Sequence, residues 1–189
     1  LLNPKWKGKM IVADPRGGAG SGFSWFGMMR YYKLLDDEYF RGFGRQEPIL
    51  WGGGTAEELN MVARGEVWLD ANVSQNSIGA LIVEGAPLKI LGMKEGSVVS
   101  MDPIAMAKGA AHPNAAKLFI NWILSREGQT IYGKAVGGTS IRKDVPDFLD
   151  PRARVQPEPQ KLLEKTYEVA EVTNRYHKEA IAESIFGKK

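Results

Sequence analysis

The first apolar run, Met10 to Ala13, is short and ends at Asp14-Pro15, so it predicts a buried strand. A loop with glycines at 17, 18, 20 and 22 follows. From Phe23 an apolar, aromatic run with Phe26, Met29 and Arg30 at helical spacing predicts a helix to about Leu35. The same unit then recurs. Ile49-Leu50-Trp51 predicts a strand, Gly52, Gly53 and Gly54 break it, and Thr55-Ala56-Glu57-Glu58 matches a capping box, in which each end satisfies the other's backbone donor. Leu59, Val62 and Ala63 give that helix its buried face, and Gly65 ends it.

Between the two units, Asp36-Asp37-Glu38-Tyr39-Phe40 is an acidic, aromatic patch. Val67 to Ala71 predicts a third strand, which runs into the polar cluster Asn72 to Ser77 and a helix from Ile78 to Val83. Leu88–Leu91 and Ile104–Ala107 are expected as further strands, with Gly92 to Ser97 a loop between them. Alternating strands and helices over this length predict an α/β fold with an open sheet.

From His112 the pattern changes. Pro113 suits a first helical turn, and Ala115, Leu118, Phe119, Trp122 and Ile123 recur at three and four, which predicts an amphipathic helix. Ser125 starts another. Residues 142–160, rich in Pro, Asp and Arg, are expected as an extended surface segment, and helices are expected near Lys161–Ala170 and Val172–Phe186.

Composition narrows the function classes. With 43% hydrophobic residues in 189, the chain can bury a core as one or two domains. A net charge of +3 arises from basic residues scattered among acids, without the basic run that nucleic acid would call for. There is no cysteine, hence no disulfide or thiolate metal site, and no apolar run approaches the roughly 20 residues of a membrane span. His112 reads as a helix-start residue and His177 lies on a charged helix, so the two histidines predict no zinc site. Leu1-Leu2-Asn3-Pro4 is not a natural start, and the chain is expected to be a segment of something longer.

The candidate chemistry lies where strands end. A glycine-rich loop opening a helix leaves backbone N–H groups converging on one point, where anions or polar oxygens bind. Ser21 or Ser24 would cap that helix and add a hydroxyl. Neither named phosphate motif is met: the dinucleotide fingerprint from Gly18 and Gly20 would need glycine where Phe23 stands, and the P-loop would need a lysine after Gly20. A βα turn that holds nothing is the plain alternative.

Four blocks carry a family resemblance: Trp6 to Pro15 (WKGKMIVADP), Ala63 to Glu66 (ARGE), Glu84 to Pro87 (EGAP), and above all Ala107 to Gln129 (AKGAAHPNAAKLFINWILSREGQ). In this order they resemble the extracellular solute-binding proteins of ABC importers, more closely the ferric-iron-binding-type branch of the two-lobed, type II periplasmic binding fold. The resemblance implies a periplasmic or extracellular address and a membrane permease as partner. It also implies that residues 8–95 form the second lobe, that 100–189 form the returning part of the first, and that the N-terminal part of the first lobe is absent. Iron-binding members carry adjacent tyrosines after the strand that follows the Gly-Glu pair. Here Asn72, Ser74, Gln75 and Asn76 stand in that neighbourhood and Tyr31-Tyr32 lies in the first helix. Neutral amides and hydroxyls suit carboxylates, phosphates, phosphonates or sugars better than Fe(III).

The expected ligand is therefore a small polar or anionic solute, captured by hinge closure, with no cofactor, metal or nucleic acid. It is expected to meet Arg16, Gly20, Ser21, Gly22 and Ser24 in the first loop, Gly54 and Thr55 at the second helix start, and Asn72, Ser74, Gln75 and Asn76. Two alternatives stand beside this. One is a ligand-sensing regulatory domain of the same fold. The other is a hydrolase using Ser21, with Asp14, Glu66 and Asp70 as acid or base groups, although Gly-x-Ser-x-Gly is not met and no histidine is placed to activate the serine.

Overall fold

The computed structural model describes residues 1–14, 22–99, 103–155, 161–173 and 178–186. Its centre is a three-stranded parallel sheet. Strand β1 (Met10–Ala13) lies between β2 (Ile49–Trp51) and β3 (Leu69–Asp70), with Val12 beside Leu50, Met10 beside Leu69, and Ile11 beside both Ile49 and Asp70. Side chains alternate across a strand. Met10 and Val12 therefore share a face with Leu50 and Leu69, and these four belong to one core. Ile11 and Asp70 share the other face.

Helices α1 (Gly22–Tyr31) and α2 (Asp37–Gly44) connect β1 to β2 and cover the first face. Phe26, Met28 and Met29 of α1 are fully buried there, with Phe40 and Phe43 of α2. Rings of Phe26 and Phe40 meet edge to face with centroids 5.8 Å apart, a favourable aromatic geometry. The acidic, aromatic patch is thus the start of a helix. Asp36 caps it by accepting from the Tyr39 N–H at 2.8 Å, Asp37 and Glu38 fill the first turn, and the aromatics turn inward.

Helix α3 (Thr55–Ala63) leads from β2 to β3 over the opposite face, and α4 (Gln75–Val83) follows β3. Leu59 of α3 and Ile78 and Ile82 of α4 form a second core with Ile90. The strand expected at Leu88–Leu91 shrinks to an isolated β-bridge at Leu91: residues 88–90 are irregular backbone, and Leu88 and Ile90 are drawn onto this second core. Residues 104–107 are likewise no strand; Ile104 and Met106 are exposed, and no strand pairs with them among the described residues.

Two of the expected boundaries are overturned by pairing distant in sequence. Ser97, expected in a loop, opens β4 (Ser97–Val99), which pairs in parallel with β5 (Leu162–Glu164), where a helix is expected. Leu163 is drawn into the main core from this strand, and the following helix α7 (Tyr167–Val172) starts only after Thr166, whose hydroxyl accepts from the Val169 N–H. Tyr32 donates its hydroxyl to the Glu164 carbonyl at 3.1 Å, tying the end of α1 to β5.

The chain then returns to its beginning. Val169 of α7 and Ile181 and Ile185 of α8 (Lys178–Phe186) lie in the core that holds Met10 and Val12. This packing crosses the division expected between residues 95 and 100. Helices α5 (Pro113–Ile123) and α6 (Arg126–Val136) form a hairpin between β4 and β5. Ser125 caps α6 through the Gly128 N–H at 3.1 Å. No residue of α5 is buried; Leu118 is 72% exposed and Phe119 53%, their apolar face unpartnered among the described residues. The segment expected as extended surface, 142–160, includes a 3₁₀ turn at Pro151–Ala153, which buries Ala153 against α4.

Candidate functional site

Three parallel strands end at one edge, and in α/β sheets that edge is where ligands bind. Asp14 leaves β1 in the middle, its N–H donating to the Trp51 carbonyl at 2.9 Å, and the turns after β2 and β3 flank it on either side. Arg16, Gly20 and Ser21 lie outside the described residues. Gly22 is the first residue of α1, so Ser24 stands inside the helix and not at its cap.

The turn after β2 is built around an indole. Trp51 donates its ring N–H to the Gly54 carbonyl at 3.1 Å, and a Cβ on Gly53 would come within 2.7 Å of the same ring. Gly54 is the N-cap of α3 at φ +98°, a conformation that side chains disfavour. The expected capping box does not form: Thr55 is the first helical residue, no side chain caps α3, and Glu58 turns into the protein, where it is only 3% exposed.

The turn after β3 is set by Asp70, whose Oδ1 accepts from the Asn72 N–H at 3.0 Å, the Asx pattern that bends a chain sharply. Ser74 is the N-cap of α4, its carbonyl taking the N–H of Ser77 at 3.0 Å, but its hydroxyl makes no capping bond. Helix α4 begins three residues before the expected Ile78, so Gln75 and Asn76 stand in its first turn. Helices α3 and α4 therefore both open at the strand-end edge without a side-chain cap. Elsewhere α2, α6 and α7 are capped by Asp36, Ser125 and Thr166, while α5, which opens at His112, also has no side-chain cap. Uncapped first-turn N–H groups hold partial positive charge and donate to the oxygens of a ligand.

The profile of the bacterial extracellular solute-binding proteins matches residues 1–161. The chain belongs to that family. Its address is accordingly periplasmic or extracellular, and no described helix is long and apolar enough to cross a membrane. The chain is also similar to an uncharacterized protein of Haemophilus influenzae (strain ATCC 51907 / DSM 11121 / KW20 / Rd), with 28% identity over 141 residues, covering 71% of this chain. It spans 38% of that relative's length.

For a solute-binding protein, neutral hydrogen-bonding groups beside open helix starts are a useful surface, and the turn from Asn72 to Asn76 has that composition. The tyrosine pair is elsewhere. Tyr31 and Tyr32 stack edge to face at 5.2 Å where α1 ends, one helix length from the strand-end edge. Of the acids singled out in the sequence, Glu66 is held in an exposed pair with Arg64 at 2.6 Å. Asp70 is different: burial pushes its carboxyl up to about 6 against the opposing effect of the Asn72 N–H. Glu58, unforeseen as a site residue, is pushed up to about 7 by burial and then by the charge of Asp70. Its spacing held a signal, since Glu58 and Val62 are four apart and so share a helix face.

Proposed function

We propose that this chain is part of the solute-binding component of an ABC importer and takes a small polar or anionic solute at the strand-end edge of its parallel sheet. The observation that carries this reading is the pair of uncapped helix starts, α3 after Gly54 and α4 after Ser74, on either side of the central strand. Two such termini present convergent N–H donors to a carboxylate, phosphate or sugar oxygen. Arg16 in the first loop would add a bidentate guanidinium, and Asn72, Gln75 and Asn76 would fix orientation.

Capture would proceed by closure of two lobes about a hinge, with the closed form read by a membrane permease. Residues 8–95 would form the second lobe and residues from about 100 the returning part of the first. The packing of α7 and α8 against α1 and α2 supports counting those two helices with the second lobe as well. The branch resembled is the ferric-iron-binding type, yet the neutral groups after β3 favour an oxygen-rich organic solute over Fe(III).

A thermal-shift screen against amino acids, dicarboxylates, phosphonates, sugars, polyamines and Fe(III) tests the reading. An anionic or polyhydroxyl hit weakened at least tenfold by Asn72→Ala and by Arg16→Ala is the expected result. A polyamine or metal hit insensitive to both overturns it.

A further inference from the structure

Helix α1 lies in contact with both β1 and β4. Its buried residues Phe26, Met28 and Met29 belong to the core that takes Met10 and Val12 from the main sheet and Leu163 from β5, with Val98 of β4 packed against it. Apolar packing is non-directional, so it holds these elements together without fixing their angle. Direction comes from two hydrogen bonds, one near each end of the helix.

Trp25, buried one turn into α1, donates its indole N–H to the Gly96 carbonyl at 3.4 Å. Tyr32, whose own N–H still bonds the Met28 carbonyl at 2.9 Å and so continues the helix, donates its hydroxyl to the Glu164 carbonyl at 3.1 Å. Each of these carbonyls shares a peptide unit with a rung of the β4–β5 ladder. The Gly96 peptide carries the Ser97 N–H, which donates to the Lys161 carbonyl at 2.9 Å; the Glu164 peptide carries the Lys165 N–H, which donates to the Val99 carbonyl at 3.1 Å. In a trans peptide the carbonyl points away from the N–H, so α1 holds both end peptides of the pair from the side opposite their rungs. A donor on the carbonyl also polarises the N–H of the same peptide and strengthens its rung.

The spacing fits. From Trp25 to Tyr32 the helix makes two turns, which brings both side chains to one face, and rises about 10 Å. From Gly96 to Val99, the partner of Glu164, the strand also covers about 10 Å. Helix α1 therefore lies along the pair and grips it at start and end. Gly96 holds φ +131°, and a Cβ there would stand 3.0 Å from the Lys161 carbonyl, so the peptide gripped by Trp25 tolerates no side chain.

We propose that α1 is a strut that orients the β4–β5 pair against the main sheet, with Trp25 and Tyr32 as its positioning residues. Helices α5 and α6 are strung between β4 and β5, so they turn with the pair. The start of α1 lies at the strand-end edge, and a solute that shifts this start tilts the pair and the hairpin through the two grips. The strut stands on these contacts by itself; its bearing on solute capture rests on the site reading above.

Residual dipolar couplings and hydrogen exchange of the intact chain test this in the double variant Trp25→Phe, Tyr32→Phe, which keeps an aromatic ring at each position and removes both donors. In the parent, the amides of β1–β3 and of β4–β5 are expected to fit one alignment tensor. In the double variant the β4–β5 couplings are expected to shrink and to need a tensor of their own. The Ser97 and Lys165 amides should exchange about tenfold faster, the loss of one hydrogen bond each, while the β1 amides keep their parent rates. One unchanged tensor with unchanged rates overturns the proposal, as does an equal loss of protection in β1, which would report lower stability and not lost orientation. Tyr32→Phe alone, at a half-buried hydroxyl, must still speed exchange at Lys165 more than at Ser97; an equal effect at both overturns it as well. A chain that behaves as described yet binds nothing in the solute screen keeps the strut and loses the solute site.

Discussion

Gly44 of α2 lies so close to the backbone carbonyl of Ile185 in α8 that a Cβ on Gly44 would collide with it. The two helices meet through backbone at this point, with Phe43 and Ile185 buried beside it. Gly44→Ala must push α8 outward, and overpacking of this kind costs about 1–3 kcal/mol. Chemical denaturation should show a lower midpoint with an unchanged slope. An unchanged midpoint would mean that α8 is not held there.

The buried acids set the pH dependence. In the fold Glu58 keeps its proton to about 7, against an ordinary value of 4.5, and Asp70 to about 6, against 3.8. The native state therefore binds more protons than the unfolded chain between these limits. Their stabilisation is complete below about pH 4, declines as pH rises, and is gone above about pH 7. Glu58→Gln should flatten this slope and gain about 1–2 kcal/mol at pH 8, less than the full shift because solvent at the sheet edge screens the charge. For a chain of this size that is roughly 2–8 °C in melting temperature. A variant that melts with the parent's pH slope would contradict the account.

Asp36 holds the first turn of α2 through the Tyr39 N–H. Asp36→Ala should cost about 1 kcal/mol, and Asp36→Asn much less, since asparagine also caps. Equal losses in both would point to the charge at the helix start and not the hydrogen bond as the source.

The face of α5 is apolar yet open: Leu118 and Phe119 are exposed, and Phe119 stands 5.8 Å from the Trp122 ring. This chain alone should bind a hydrophobic dye. Leu118→Ser with Phe119→Ser should reduce that binding by more than half, with stability changed by no more than about 0.5 kcal/mol per exposed site. A large loss of stability would show that the face is packed in solution.

Local chemistry was legible in the sequence. The apolar run from Met10, the paired strand–glycine–helix units, and the restart at Ser125 all follow from periodicity and caps that act within a few residues. Long-range pairing was not. Leu162-Leu163-Glu164 is compatible with a helix, and only the partner at Ser97–Val99 makes it a strand. The edge where Gly54 and Asn72 lie could be anticipated from three βα turns in succession. Glu58 could not be placed there from its motif, because a Thr-x-x-Glu match speaks of capping, and Gly54 with its positive φ had already taken the cap position.

Because Met10 and Val12 share a core with Ile181 and Ile185, the first strand cannot finish its packing until the last helix exists. At synthesis rates of about 5–20 residues per second, the opening of the chain waits on the order of ten seconds or more for its closing partner. During that interval its most apolar face is open. A copy shortened to end before Lys178 would keep that exposed face permanently and should be a substrate for proteolysis.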